Sequence, residues 1–246
     1  MSVGDNNGSV LNKPFETFAK SLPPLFCGPE VAIRIGSASH TYRFPKELLC
    51  SQSTYFAAMF KEAQFKEGVE QSATLEEMDG VISTQSFEML VQWVCLGRII
   101  FEDSLPAEDI ALSIEFTRLM DMCKISGAES FMAQHIKDII LADAPLHMVG
   151  AFRRDPNANL YAITSENIDS TANLPEYHPV RGILAMAMVE SFLLTDDHKF
   201  QKEIDEMSGF AADVLAASKA TSKLITCGEY HPEFKEPLSG KILRLE

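Results

Sequence analysis

The sequence predicts an α+β fold, and three patterns before residue 142 lead to that prediction. Val31, Ile33 and Ile35 alternate with other residues, which is the period of a strand with one buried face. After a turn-like segment, Tyr42 and Phe44 alternate again, so the two stretches together predict a β-hairpin. The residues that follow have mainly helical spacing, without the regular strand–helix alternation of a parallel sheet.

Helices and two further strands are predicted after the hairpin. Pro45 suits the first position of a helix, because its missing N–H costs nothing there. A third strand is predicted at Ala73–Glu77 and a short fourth at Ile99–Phe101. Between them, Ser83 suits a helix N-cap and Gly97 a helix C-cap. The core-facing stripe of that helix comprises Phe87, Leu90, Val91 and Val94.

More helices are predicted on either side of a linker-like segment at 143–179. Pro106 opens one helix, and Ser126-Gly-Ala-Glu129 reads as the capping box of the next. Pro and Asn residues make 143–179 linker-like, with an extended stretch at 159–163 and a short helix starting at Ser165.

The two ends of the chain complete the prediction. Helices are expected at about Val180–Leu194 and Lys199–Lys223, followed by an irregular tail from Cys227. A short helix is expected at Pro14–Leu25, where Pro23-Pro24 stops it.

The charge balance argues against nucleic-acid binding. The chain has 21 basic and 35 acidic residues and a net charge of −14. Phosphate binding needs a basic face, and the longest basic cluster is the pair Arg153-Arg154. The longest apolar run, Ile183–Val189, is too short to span a bilayer, and Met1–Val10 does not resemble a secretion signal. We therefore expect no nucleic-acid or membrane partner and an intracellular protein, cytoplasmic or nuclear.

Cysteine and histidine patterns predict no metal site and no catalytic centre. The five cysteines are odd in number and widely spaced, which indicates neither a disulfide framework nor a zinc site. None of the six histidines has metal-ligand spacing, and the chain has no nucleophile-elbow, P-loop or dinucleotide motif. The sequence thus predicts a protein without catalytic, cofactor-binding or metal-binding residues, which is not an enzyme.

The run from Phe44 to Phe60 resembles the BTB/POZ family. The residues that match the family pattern are Lys46, Leu49, Ser53, Tyr55, Phe56, Met59 and Phe60. The resemblance implies a BTB/POZ domain at 30–142, a small mixed sheet with helical hairpins. It leaves an N-terminal segment at 1–29, partly disordered, and a helical region at 180–246. The helical C-terminal part, with His178-Pro-Val-Arg181 and Gly209-Phe-Ala-Ala-Asp213, resembles the C-terminal extension of fungal BTB proteins.

The resemblance also implies a role in binding other proteins. Family members that recruit a cullin scaffold often carry a hydrophobic-x-Glu motif after the matched helix, and Phe65-Lys66-Glu67 fits it. Phe65 would then fill an apolar pocket of the partner, and Glu67 would accept a charge-assisted bond at its rim. The alternative is that Phe65 covers the core of its own fold and Glu67 is solvated.

Three functions stay open at this point. The first is a protein-interaction module that acts as a substrate adaptor of a cullin-based ubiquitin ligase, or as a more general scaffold. The second is a self-associating transcription cofactor, with homodimerisation left undecided. The third is an enzyme of unrecognised type with its site in the C-terminal half.

Overall fold

The computed structural model describes residues 26–37, 40–61, 65–102, 104–143, 155–196, 198–227 and 231–245. They form a mixed α+β structure, as predicted. The chain divides into two compact units. The first contains the described residues up to Phe101 together with Arg118–Ser126, and the second contains Glu102–Thr117 and the residues from Gly127 onward. The helix predicted at Pro14–Leu25 lies outside the described residues.

A three-stranded mixed sheet organises the first unit. Strand β1 (Glu30–Ile35) pairs antiparallel with β2 (Tyr42–Pro45) and parallel with β3 (Ser72–Leu75), so β1 is the central strand. The side chains of Val31, Ile33 and Ile35 are buried, which confirms the predicted alternation. The third strand is shorter than predicted, since it ends at Leu75 rather than at Glu77.

Three short helices and one long helix pack around this sheet. Their bounds are α1 Lys46–Gln52, α2 Thr54–Met59, α3 Lys66–Glu70 and α4 Thr84–Leu96. Pro45 precedes α1 instead of opening it, because its extended backbone still pairs with Glu30 in the hairpin. The motif stretch is therefore two helices separated by Ser53.

The predicted caps of α4 are confirmed. The Ser83 hydroxyl accepts the N–H of Ser86, whose own hydroxyl accepts the N–H of Ser83. Gly97 ends the helix in the left-handed conformation with φ 65°. The strand predicted at Ile99–Phe101 is wrong: the Ile100 N–H donates to the Gln92 side chain at 2.7 Å, so this backbone bonds a side chain and not a strand.

The second unit is mainly helical. Its helices comprise α5 (Pro106–Met122, which enters this unit up to Thr117), α6 (Glu129–Asp143), α7 (Ser165–Ala172), α8 (Pro179–Leu194), α9 (Gln201–Glu206) and α10 (Ser208–Ser222). Helix α8 packs against α6, α7 and α10, and most of its side chains are buried. An almost wholly apolar helix is expected in such a central position. Because α6 groups with α8, the two units do not divide at the predicted boundary near residue 142.

The segment predicted as a linker is packed where the structure describes it. Residues 155–179 contain a 3₁₀ turn at Ala158–Leu160, where an extended stretch was expected, and then α7. Leu160, Ile163 and Ile168 are buried. The Lys199 ammonium donates to the carbonyls of Leu160 at 2.6 Å and Ile163 at 2.9 Å. These distant contacts fold a segment that Pro and Asn residues make linker-like in the sequence.

Three further expectations about the second unit are corrected. Helix α6 starts at Glu129, and the Glu129 carboxylate accepts the Gly127 N–H, so Ser126 does not start it. The helix expected at Lys199–Lys223 is broken at Met207, whose ψ of 87° is not helical. The tail expected to be irregular pairs antiparallel with itself, as β4 (Thr226–Cys227), β5 (Pro232–Lys235) and β6 (Ile242–Arg244).

Ser53→Ala should destabilise the first unit by about 1–3 kcal/mol. The buried Ser53 hydroxyl accepts the N–H of Phe56 and donates to the carbonyl of Cys123, and alanine removes both bonds. Urea denaturation measures the free energy of unfolding. Ser51→Ala is the control, because the Ser51 side chain is exposed and bonds only the nearby Leu48 carbonyl; equal losses in both variants would contradict the assignment.

The free energy of unfolding should decrease at alkaline pH because of the buried Cys123 thiol. Burial raises the pKa of this thiol to about 12, so the unfolded chain loses the proton first, near pH 8.5. The contribution of the protonated Cys123 thiol to the free energy of unfolding is complete below pH 8.5 and is lost as the pH rises towards 12. Between pH 8.5 and 10 the wild type should lose about 1–2 kcal/mol more than Cys123→Ala. Urea denaturation tests this, with Cys27→Ala, at an exposed thiol, expected to lose as much as the wild type.

Candidate interaction surface

Two exposed apolar side chains lie at α3 in the first unit: Phe65, the extended residue that caps the start of the helix, and Val69 within it. The Phe65 side chain is 54% exposed and that of Val69 is 72% exposed. The Val69 N–H donates to the Phe65 carbonyl at 3.2 Å, so the two residues lie one helical turn apart. Both exposed residues therefore lie within one turn at the start of α3. Phe65 is thus partly covered by its own fold and partly open to solvent.

The Glu67 carboxylate lies on another side of the same turn. Glu67 is half-buried, and its charge helps to raise the pKa of Tyr55, after burial and Cys123. It makes no ion pair within the described part of the chain, whereas Lys66 and Glu70 form an exposed pair at 3.7 Å. The two residues thus have different surroundings. Phe65 is mainly in solvent, whereas Glu67 is partly covered by the first unit.

A close backbone contact holds α3 against the end of α2. A Cβ atom at Gly68 would lie 2.2 Å from the carbonyl oxygen of Lys61, so only glycine fits. After α3, Gln71 has a left-handed backbone with φ 50°, and its side-chain amide donates to the carbonyls of Gly68 and Phe60. These contacts set the position from which Phe65 and Val69 point outward.

The other residues of the family pattern form the interior behind this surface. Leu49, Phe56 and Phe60 are fully buried, and the rings of Phe56 and Phe60 stack with centroids 6.3 Å apart. Ser53 is buried as the cap of α2, whereas Tyr55 and Met59 are half-buried. The pattern is therefore mainly one of packing and capping.

Two polar pairs of the second unit were not predicted from the sequence. The Ser191 hydroxyl lies 3.5 Å from Nδ1 of His198, but it is fully buried and donates to Asn157 at 2.9 Å. Arg181 is also buried and is paired with Asp213 at 2.7 Å. Spacing in the sequence gives no signal of either pair, because both form between distant elements.

Two absences apply to the described residues alone. They contain no group of three or more His, Cys, Asp or Glu side chains that could hold a metal ion. None of their helices has the length and hydropathy that crossing a membrane requires.

Comparison with protein-family models finds none that matches this chain, and comparison with curated proteins finds no significant match.

Gly68→Ala should displace α3 and destabilise the first unit, by roughly 1–3 kcal/mol. The reason is the 2.2 Å approach of the added Cβ atom to the Lys61 carbonyl, which is backbone and cannot rotate away. Urea denaturation measures the loss, and amide spectra should show the largest shifts around α3.

Gly182→Ala is the matched control for that change. It is also a glycine within a helix, but its Cβ atom would meet nothing within 4 Å. It should therefore be neutral or stabilise the protein by up to about 1 kcal/mol, through higher helix propensity. A loss at Gly182 equal to that at Gly68 would show that the close contact is not the cause.

Proposed function

We propose that this chain is a protein-interaction module built on a BTB/POZ domain, and that it acts as a substrate adaptor for a cullin-based ubiquitin ligase. Two observations support the BTB/POZ domain. The residues from Phe44 to Phe60 resemble the family motif. A hairpin, three short helices and a third strand parallel to β1 follow one another, and the three strands make a small mixed sheet of the kind that the family implies.

The observation that carries the cullin proposal is the exposure of Phe65 on a fixed turn. A large apolar side chain in solvent gains little in the free protein, yet burial in a partner stabilises a complex by about 1.5–3 kcal/mol for the whole side chain. Val69, one turn away and also exposed, widens the apolar surface. Anchors of this kind carry most of the energy of an interface, and preorganisation lowers the entropy cost of binding.

Glu67 supplies the rim charge of the proposed interface. Its half-buried carboxylate makes no ion pair within the described residues, so it is available to a basic group of the partner. A charge-assisted bond of this type fixes orientation more than it adds affinity. In this proposal the partner offers an apolar pocket beside a Lys or Arg side chain.

Co-purification with a cullin tests the proposal. The wild type should retain the cullin, and Phe65→Ala and Glu67→Lys should each reduce recovery by about tenfold, a loss of roughly 1.4 kcal/mol of binding. Phe65 is more than half exposed, so Phe65→Ala should keep the wild-type free energy of unfolding to within about 0.5 kcal/mol; Glu67 is half-buried, so the free energy of unfolding of Glu67→Lys is measured alongside.

Phe26→Ala is the matched control, since the Phe26 side chain is 44% exposed in the same unit but lies outside the motif. It should leave cullin recovery unchanged. Unchanged recovery in both motif variants would overturn the proposal. Light scattering that shows a stable dimer in that case would favour the self-associating cofactor or scaffold.

A further inference from the structure

A groove runs along α8 in the second unit, between α6 and α10. Its volume is about 570 Å³. Helix α8 packs against both neighbours and forms the floor, with Gly182 and Ala185 facing the space. Ala133 of α6 and Ala212 of α10 line the two sides.

Small side chains leave the groove open. On α10 the residues that line it are Gly209, Ala212, Asp213, Ala216 and Ala217, and four of these five have small side chains. On the floor, a Cβ atom added at Gly182 would meet no atom within 4 Å. Because the distance between packed helices depends on the side chains at the contact, the Gly and Ala residues on the α10 side allow another helix to approach α10 closely.

The charges that line the groove favour a basic occupant. Arg181 is the one Lys or Arg side chain among the described residues that line it, and Asp213 holds it at 2.7 Å. Arg181 also donates to the carbonyls of Leu174 and Gly209, so its charge is engaged by the fold. Glu176, which is exposed and lines the groove, makes no ion pair within the described residues, and the whole chain has a net charge of −14. A field of that sign attracts cationic partners.

An aromatic side chain stands at the rim beside these groups. Tyr177 lines the groove and is 91% exposed, with a left-handed backbone at φ 63° that tyrosine rarely adopts. After this left-handed turn the chain enters α8 through its N-cap residue His178. The Nδ1 atom of His178 accepts the Val180 N–H at 3.2 Å. An exposed tyrosine at the edge of an apolar groove is a typical anchor for a protein partner, and its ring can also contact a cation.

We propose that this groove binds an amphipathic helix of a partner protein, with small apolar residues on the buried face and Lys or Arg at the flanks. The inference rests on the proposed interaction function and deepens it, because it assigns partner recognition to the second unit. The bound helix completes a helical layer over α8, and its basic flanks lie near Glu176.

Blocking the groove from its floor provides the test. Gly182→Leu places a large side chain in space that is empty in the free protein, so the full-length variant should fold with an unchanged or higher urea midpoint. Gly182→Ala is the matched control, since its single methyl group leaves most of the groove open.

The probe is a synthetic helix of about 16 residues, roughly 24 Å long, with Ala and Leu on one face and Lys on the flanks. Amide spectra of the full-length chain should show shifts at Gly182, Ala212 and Tyr177 when it is added. Gly182→Leu should weaken binding of the probe about tenfold or more, whereas Gly182→Ala should weaken it less than about threefold. A probe with Glu in place of Lys should bind the wild type at least about tenfold more weakly than the Lys probe.

Each contrary result overturns the inference. These results are a lack of shifts in the groove, equal binding to the blocked variant, and equal binding of the acidic probe. A strong fall in the urea midpoint of Gly182→Leu would show that the groove is filled in the free protein. A dimer that Gly182→Leu abolishes would assign the groove to a second copy of the chain.

Phe65→Ala keeps the two proposals distinguishable. This variant should bind the probe as the wild type does, because Phe65 belongs to the first unit. Loss of the cullin with probe binding retained would therefore leave the groove proposal standing. Conversely, we expect Gly182→Leu to lose binding of the probe and to leave cullin recovery unchanged.

Discussion

The extended residue Ser53 is the constraint on which the proposed interaction surface depends. Its backbone interrupts the helical block, and its buried hydroxyl accepts the Phe56 N–H and donates to the Cys123 carbonyl. These bonds set where α2 begins and how it lies in the first unit. Helix α2 then brings the Lys61 carbonyl to the place where only Gly68 fits, and α3 carries Phe65 outward from there. An exposed side chain is thus positioned by a chain of buried contacts.

Arg181 has the corresponding role in the second unit. A guanidinium out of water must be paired and hydrogen-bonded, or its burial costs several kcal/mol. Asp213 and the carbonyls of Leu174 and Gly209 meet that demand, and in doing so they join α8, α10 and the segment before α8. The same contacts engage Arg181, the one Lys or Arg side chain among the described residues that line the groove.

Local signals predicted the elements that depend on local physics. The alternation of Val31, Ile33 and Ile35 requires only one buried face, and Ser83 and Gly97 cap α4 through neighbouring backbone groups. Predictions failed where distant residues decide. Residues 158–163 are packed because Lys199 binds their carbonyls, and the tail is a sheet because β5 pairs with strands on both sides. No periodicity within those segments carries that information.

By itself the sequence determined the α+β class, the hairpin, the principal helices and the residues that point to the proposed motif surface. These follow from side-chain period, capping residues and turn residues, which act within a few positions of the chain. Only the tertiary structure decided that Phe65 is exposed while Phe60 is buried, and that Gly182 faces an open groove. Exposure depends on which elements pack against a residue, and those elements are distant in the sequence.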